Sequence, residues 1–302
     1  MDNAVREERE ETTKWANRKE RVAALVAKYA PDIVCFQELR DLPNNERAIQ
    51  YLASSRFGSY RFEMAFRNPS PLPFAQAILW NPAKFFALQT VRQWISSTPN
   101  EVSDSVTSGK GAQTSPGYLL LGVQFQFVHQ NKIVRDVDGN SHPFWIFTTH
   151  LGMEEDCKTA SCKLLGDIIR QRILVGDRVG QPFVLAGDLN LFPDRDADLQ
   201  RRILREEHGM FDLGQQRMVS SQTGRDVGGT FVGFEHDAFR APDMSNLTSR
   251  LDHVWTSDER VQLLEPLLVL TESMLEPEPA ELTTRNLPSD HLPLLAKLEL
   301  QV

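Results

Sequence analysis

The sequence predicts a layered α/β domain, because strand-like and helix-like patterns alternate along the chain. About ten short runs are apolar or alternate between apolar and polar residues, as strands do. Roughly three or four longer runs place apolar residues three and four positions apart, as helices that cover a core do. With 302 residues, of which 41% are hydrophobic, the chain can bury a large core. This mixture favours sheets covered by helices over an all-β sandwich.

Two helices are predicted together with their apolar faces. Residues 15–30 form the first helix, whose apolar face consists of Val22, Leu25, Val26 and Tyr29. Pro31 ends this helix, because proline removes a backbone donor and clashes with the preceding turn. Residues 158–175 form another helix, with an apolar face made of Leu165, Ile168, Ile169 and Ile173.

The strand-like runs begin directly after the first helix. IVCFQ is predicted as a buried strand, and the later runs are FEMAF, FAQAILW, VRQWIS, LLLGVQFQFV, FWIFTTH, FVLAGD, RLDHVWT, EPLLVL and LPLLAKLEL. The polar stretch RDVDGNSHP separates LLLGVQFQFV from FWIFTTH, which predicts an antiparallel pair. A calcium loop is the alternative interpretation of this stretch, but the closing acidic ligand of such a loop is missing.

Two long stretches are predicted to be loops inside one domain. Residues 97–117 are rich in Ser, Thr, Gly and Pro, and residues 272–288 are acidic and contain prolines. Loops of this length in a compact domain are usually functional covers or disordered. The candidate site residues come from both ends of the chain, so residues 1–302 are predicted to form a single domain.

Charge and cysteine content limit the classes of function. The formal net charge of -8 argues against a protein whose main interaction is non-specific attraction to nucleic acid. Cys35, Cys157 and Cys162 cannot all pair with one another, which fits a reducing compartment, and the last two lack the further ligands of a zinc site. The charged N-terminal residues show no secretory signal, and no apolar run reaches about 18 residues. A cytoplasmic protein without a membrane span is therefore expected.

Five polar clusters each follow or accompany a strand-like run. They are Gln37-Glu38, His150, Gly187-Asp188-Leu189-Asn190, Asp252-His253 and Ser289-Asp290-His291. A strand that ends in polar residues delivers them to one rim of its sheet. Carboxylates, an amide and imidazoles gathered at one rim are typical of metal-assisted phosphoester hydrolysis.

Each residue type suits one part of that chemistry. Mg²⁺ prefers oxygen ligands and keeps several waters, so Glu38 and Asp290 are the candidate metal ligands. Asp188 accepts a proton from water and Asn190 donates to a phosphoryl oxygen. His150 and His291 can each donate to phosphate when protonated, and His291 is also a candidate base. Asp252 is the carboxylate that would orient His291.

Each cluster taken alone also has a purely structural interpretation. Gln37-Glu38 is then a strand end that meets solvent, His150 is a hydrogen-bonded structural histidine, and the Gly-Asp-x-Asn run is an ordinary turn. Asp252 then pairs with Arg250. Asp290-His291 then caps a turn before Pro293. The order of the five clusters and their shared position at strand ends favour the catalytic interpretation.

The ordered set PDIVCFQE, THL, GDLN, RLDHVW and PSDHLPL resembles the endonuclease/exonuclease/phosphatase superfamily, which includes DNase I-like nucleases, deadenylases and sphingomyelinases. The resemblance spans nearly the whole chain and implies a four-layer α/β sandwich of two largely antiparallel sheets flanked by helices. It also implies a role for each residue: metal ligation for Glu38 and Asp290, orientation of water and phosphate for Asp188 and Asn190, phosphate contact for His150, and an Asp-His pair for Asp252 and His291.

The sequence departs from the family pattern at its start. Members begin with a strand that carries a metal-site asparagine, in a context like Thr-x-Asn. Here Asn3 is the only asparagine upstream of the first helix segment, and no apolar run precedes it. The first family strand is therefore expected to be missing, or another segment fills its place.

The resemblance implies a phosphoester hydrolase that uses Mg²⁺ or Mn²⁺ and acts on a phosphoester substrate, with nucleic acid and nucleotides among the candidates. WANRKERVAAL, WISSTP and GTFVGF are similar to a bacterial branch of magnesium-dependent hydrolases. The inositol-polyphosphate 5-phosphatases are disfavoured, because their Trp-Cys-Asp-Arg signature is replaced by SRLDHVW. Two alternatives stay open: a nuclease acting on DNA or RNA, and a non-catalytic scaffold without the first metal-site strand.

Overall fold

The architecture comes from a computed structural model of the chain. It describes residues 15–40, 47–67, 74–101, 117–153, 155–174, 180–191, 197–215, 217–231, 250–257, 259–270, 289 and 291–301. The α-helices within these ranges are α1 (Trp15–Tyr29), α2 (Ala48–Leu52), α3 (Glu155–Ile173) and α4 (Ala197–Arg202). None of these helices is long and apolar enough to cross a membrane.

A seven-stranded sheet forms the centre of the molecule. Its main strands are β4 (Phe85–Trp94), β5 (Leu119–His129), β7 (Phe144–His150), β8 (Phe183–Asp188), β11 (Asp252–Thr256) and β9 (Phe211–Asp212), hydrogen-bonded in that order. The short strand β6 (Lys132–Ile133) pairs with β5 at one side. Most neighbours are antiparallel, whereas β7 and β8 run parallel, so both end at the same rim.

The remaining strands form smaller sheets. β1 (Ile33–Arg40), β3 (Phe74–Trp80) and β2 (Arg61–Phe66) make an antiparallel sheet with β3 in the middle. A second group joins β10 (Met218–Ser220), β13 (Leu267–Val269) and β14 (Leu294–Leu295). β12 (Val261–Leu263) pairs with β15 (Leu298–Leu300) near the end of the chain.

Three clusters of buried side chains define four layers. The largest cluster lies between the sheets and includes Ile78 of β3, Val123 of β5 and Val269 of β13. A second cluster joins the outer face of the seven-stranded sheet to α3, and a third joins the outer face of β1 and β3 to α1 and α2. Helix, sheet, sheet and helix therefore follow one another, which confirms the predicted four-layer α/β sandwich.

The helix predictions are confirmed with small shifts of their bounds. In α3, Leu165, Ile168 and Ile169 are buried against the sheet, because their spacing puts them on one face. In α1, which ends at Tyr29, the apolar face is only partly buried. The predicted antiparallel pairing of LLLGVQFQFV with FWIFTTH is also confirmed.

Two further predictions concern the cysteines and the two long loops. All three cysteines are free thiols, and burial raises the pKa of Cys35 to about 12, so this thiol stays protonated at neutral pH. The acidic stretch 272–288 lies outside the described residues, as does most of the loop 97–117.

A cavity of about 1270 Å³ separates β1 from the C-terminal strands. One wall is the partly exposed face of α1, including Val22 and Val26, and the opposite wall is the inner face of the seven-stranded sheet. The two sides are β1 and the segment 291–300. Within the described part of the chain, β1 pairs only with β3 and β14 only with β13, so each has one unpaired edge.

Candidate active site

The register of three adjacent strands lines up the centre of the site. His150 ends β7 and lies opposite Asp188, the last residue of β8. Asp188 in turn lies opposite Asp252, the first residue of β11. Because β7 and β8 are parallel and β11 is antiparallel to them, these three side chains share one rim of the sheet. The predicted gathering at strand ends is therefore seen for all three residues.

Gly187 allows β7 and β8 to approach closely at this rim. A Cβ atom at position 187 would lie 2.1 Å from the carbonyl oxygen of Thr149, far inside van der Waals contact. Only glycine fits there without moving the backbone. The glycine of the GDLN run thus has a packing role directly beneath Asp188.

The turn after β8 holds Asn190 over the site. Its backbone N–H donates to Asp188 Oδ1 at 3.0 Å, and its Nδ2 donates to the carbonyl of Leu151 at 2.7 Å. Nδ2 also lies 3.2 Å from His150 Nε2. Asn190 has a φ of 52°, a left-handed conformation that asparagine adopts more readily than most residues. Buried Lys158 of α3 donates to the Asn190 carbonyl at 3.0 Å and fixes the turn from below.

Asp252 and His291 form a close pair. His291 Nδ1 lies 2.8 Å from Asp252 Oδ2, and His291 Nε2 lies 3.9 Å from Asp188 Oδ2. Asp252 therefore binds one ring nitrogen of His291 and leaves the other directed toward Asp188. The alternative in which Asp252 pairs with Arg250 is wrong, since Arg250 pairs with Asp212.

Thr230 and Phe231 tie the C-terminal segment to β11. Thr230 Oγ1 accepts from the backbone N–H groups of Leu251 and Asp252, each at 3.2 Å. Its carbonyl accepts from Leu292 at 2.7 Å. The Phe231 ring packs edge-on against His291 with centroids 5.1 Å apart. The GTF run thus positions the Asp-His pair, a role that its sequence alone did not reveal.

Glu38 reaches the site from a bulge in β1. The pairing of β1 with β3 shifts between Phe36 and Leu39, where β1 has one extra residue, and Glu38 has a φ of 55°. Bulges next to active sites re-aim a side chain. The Glu38 carboxylate is 52% exposed, and its Oε1 lies 3.6 Å from His150 Nδ1. Asp290, the other predicted metal ligand, lies outside the described residues.

Burial and neighbouring charges shift the pKa values of two residues at the site, Asp188 and His150. Burial, followed by the charge of Asp252, raises the pKa of Asp188 to about 8. Burial, followed by the charge of Arg67, lowers the pKa of His150 to about 3, so His150 is neutral near pH 7. A carboxyl group with a pKa near neutrality can exchange a proton during turnover.

The site also contains residues that sequence reasoning missed. Arg67 follows β2, and its Cζ lies 4.5 Å from the ring centroid of Tyr118. Behind the rim, Asp212 binds both Arg250 and His253, the latter at 2.9 Å. His253, which neighbours Asp252 in the sequence, therefore points into a structural cluster rather than into the site. Arg67 and Asp212 stand alone in the sequence, where no motif marks them.

The fold and the rim together define an α/β sandwich with a polar site at one end of its sheets. The sequence matches the model of the Endonuclease/Exonuclease/phosphatase family over residues 5–291. The chain therefore belongs to this family, whose members are usually hydrolases that act on phosphoesters.

Individual relatives extend this comparison. An uncharacterized protein, L388, of Acanthamoeba polyphaga mimivirus is 27% identical over 179 residues, and the match covers 59% of each chain. The match thus spans less than two thirds of that relative's length.

Solved structures share the fold at low sequence identity. An endonuclease/exonuclease/phosphatase of Bacteroides vulgatus has a TM-score of 0.67 and 22% identity, over 95% of this chain and 92% of the other. The mannosyl-6-phosphatase Bt3783 of Bacteroides thetaiotaomicron also has a TM-score of 0.67, with 18% identity over 94% and 91%. D. rerio TDP2, complexed with a single-strand DNA product, has a TM-score of 0.58 and 18% identity over 94% and 92%.

Proposed function

We propose that this chain is a divalent-metal-dependent phosphoester hydrolase in which water attacks phosphorus. The observation that carries the proposal is the convergence of five side chains, from the ends of β7, β8 and β11 and from the segment before β14, into one set of contacts. Its members are His150, Asp188, Asn190, Asp252 and His291. A merely structural cluster would bury its imidazoles completely, as happens to His253, whereas His291 keeps 24% of its side chain exposed.

The donor set fits a hard cation that keeps part of its water shell. Among the described residues, no group of three His, Cys, Asp or Glu side chains is arranged to hold a metal ion. Mg²⁺ and Mn²⁺ are compatible with this set, since Mg²⁺ is usually bound by one or two carboxylates plus substrate phosphate. Glu38, whose carboxylate is exposed at the rim, would hold the cation, with Asp290 as the second candidate. When bound, such a cation neutralises charge that develops on the phosphoryl oxygens.

Asp188 and His291 are the two candidates for accepting the proton of the attacking water. Asp188 has a raised pKa of about 8, and His291 Nε2 lies 3.9 Å from it. Asp252 accepts from His291 Nδ1, so it fixes the tautomer in which Nε2 is the basic atom. Both groups face the same space at the rim, so either can take the proton.

Asn190 and His150 suit the recognition of phosphoryl oxygen. One Nδ2 hydrogen of Asn190 donates to the Leu151 carbonyl and fixes the amide, so the second hydrogen, which faces His150 Nε2, is the one that a phosphoryl oxygen can accept. Preorganised donors of this kind stabilise a transition state without reorganising when charge develops. Neutral His150 contributes an N–H donor or a lone pair according to its tautomer, not a positive charge.

Hydrolysis of a mixed substrate panel tests the proposal. The panel contains an activated phosphodiester, a monoester, single-stranded RNA and DNA, and a phospholipid, each with and without Mg²⁺. We expect Mg²⁺-dependent turnover on at least one class, and we expect His291→Ala to lower it by about 10²- to 10⁴-fold, the usual effect of losing an acid-base group. Melting should be unchanged, because the side chain is partly exposed.

The matched control is His129→Ala, which removes an exposed histidine at the end of β5. It should retain the wild-type rate. Turnover that survives both His291→Ala and Asp188→Ala would contradict the proposed site. No turnover on any substrate would favour the non-catalytic scaffold.

A nucleic acid is the second candidate substrate, favoured by the likeness in fold to TDP2, whose structure holds a DNA product. The net charge of -8 opposes broad attraction to a nucleic-acid backbone. The salt dependence of binding distinguishes a nucleic-acid substrate from a small phosphoester. Affinity for nucleic acid falls steeply as the salt concentration rises, whereas affinity for a small phosphoester falls only slightly.

A further inference from the structure

Arg67 is a partly buried cation at the edge of the candidate active site. It follows Phe66, the last residue of β2, and its backbone N–H donates to the carbonyl of Phe74 at 2.8 Å. Its side chain crosses toward β5, where Cζ lies 4.5 Å from the ring centroid of Tyr118. Nε donates to the carbonyl of Gly117 at 3.4 Å, which is a long contact.

Among the residues that the structure describes, Arg67 has no ion-pair partner. Throughout the described ranges, no carboxylate forms an ion pair with this guanidinium. The same chain treats Arg250 differently, since Asp212 pairs with it in the interior. A desolvated cation without a partner is costly, and chains retain such groups mainly where a ligand completes them.

Electrostatic interactions connect Arg67 with residues of the candidate active site. Burial lowers the pKa of Arg67, while the charges of Tyr118, Glu38 and Asp188 raise it. Conversely, the charge of Arg67 contributes, after burial, to the low pKa of His150. The charge of Arg67 therefore interacts with Glu38, Asp188 and His150, although Arg67 forms an ion pair with none of them.

Tyr118 provides a rigid support for the guanidinium. The ring is 5% exposed, and a Cβ atom at position 152 would lie 1.7 Å from its hydroxyl oxygen. Gly152, two residues after His150, therefore leaves room for the phenol beside the site. Stacking on an aromatic face holds a guanidinium flat and leaves its edge donors available for planar recognition of an anion.

We propose that Arg67 binds the phosphoryl group of the substrate through N–H donors of its guanidinium group, with Tyr118 as the aromatic support. This inference rests on the proposed function, because it names a residue that recognises substrate at the same site. The bond is charge-assisted and bidentate, so it favours a doubly charged terminal phosphate over a singly charged internal diester.

Binding of inorganic phosphate tests Arg67 independently of turnover. We expect Arg67→Met to weaken phosphate binding by about 10- to 100-fold in calorimetry, the equivalent of one charge-assisted hydrogen-bonded pair. Arg67→Lys should recover only part of the affinity, since an ammonium group cannot bind in a bidentate manner. Arg61→Met, which removes an exposed arginine from the start of β2, is the matched control and should bind like the wild type.

A second readout needs no substitution. Phenylglyoxal modifies accessible arginines, and phosphate should slow the modification of Arg67 several-fold while leaving Arg61 unaffected, as followed by peptide mass spectrometry. This measurement decides the matter if Arg67→Met does not fold.

The outcomes separate this inference from the proposed function. Phosphate binding by folded Arg67→Met at wild-type affinity, or equal modification rates with and without phosphate, would overturn the role of Arg67. Loss of binding in Arg67→Met by a chain that hydrolyses nothing would uphold the phosphate contact and refute the hydrolase. A monoester-to-diester preference that does not fall in Arg67→Lys would contradict the bidentate contact.

Discussion

At the scale of single residues, the site shows how far chemistry can be inferred from residue type. Asp188, Asn190 and His291 follow from motifs, because the first two stand in a short polar run after an apolar one and His291 stands in a polar run just before one. Arg67 and Asp212 could not be found in that way. Arg67 gains its meaning from its position on Tyr118 without an ion pair to any described carboxylate, and Asp212 from the arginine and the histidine that it binds, which are both properties of the folded chain.

Asp188 also makes the stability of the fold depend on pH. Its pKa is raised to about 8 in the folded chain from 3.8, so the folded state retains a proton that the unfolded state releases between pH 4 and pH 8. The unfolded state therefore binds fewer protons in this window, and stability falls as pH rises through it.

Asp188→Asn should remove this dependence, because the amide keeps an acceptor for the Asn190 N–H and has no charge to bury. In metal-free buffer, the variant should gain stability over the wild type by on the order of 4 kcal/mol more at pH 8 than at pH 5. Urea unfolding at both pH values measures the difference. An equal gain at pH 5 and pH 8 would mean that Asp188 has an ordinary pKa.

At the scale of secondary structure elements, the register between strands decides which side chains meet. The apolar runs predict β7, β8 and β11 and place a polar residue at the rim end of each. They do not state that His150, Asp188 and Asp252 stand side by side, because register depends on long-range pairing rather than on local pattern. The bulge at Glu38 escaped prediction for the same reason.

Gly187→Ala tests how strongly this register supports the site. The added methyl group would lie 2.1 Å from the Thr149 carbonyl, so β7 and β8 must separate. We expect a loss of about 1 to 3 kcal/mol of unfolding free energy, as for an overpacked core, together with a strong fall in turnover. Chemical denaturation and the substrate panel give both values.

The control for this change is Gly180→Ala. A Cβ at position 180 has its nearest neighbour at 3.6 Å, which is ordinary contact. This variant should stay close to the wild type in stability. If Gly187→Ala behaved like Gly180→Ala, the close approach of β7 and β8 would not matter to the site.

At the scale of the whole molecule, the order of the layers was predictable from the sequence, whereas the pairing of the sheet edges was not. Alternating patterns and the family motifs predict two sheets between helices, and the described chain has that arrangement. No described strand pairs with the second edge of β1, and no local pattern in β1 reveals whether that edge is covered.

Hydrogen exchange should distinguish the two edges of β1. Amides of β1 that bond to β3 should be protected, whereas the alternate amides that face the cavity should exchange much faster, because no described strand accepts from them. Amides of β5, which pairs with both β4 and β7, provide the protected reference. Protection of every β1 amide at the level of β5 would show that the second edge is covered.

The edges of β1 and β14 that pair with no described strand also affect how the protein behaves in concentrated solution. Rows of unpaired N–H and C=O groups at a strand edge can hydrogen-bond another extended chain. The apolar walls of the cavity beside β1 would stabilise such a pairing. A net charge of -8 makes molecules repel one another, so it opposes self-association through these edges. Colloidal stability of this enzyme candidate is thus coupled to salt, since added ions screen the repulsion but leave main-chain pairing intact.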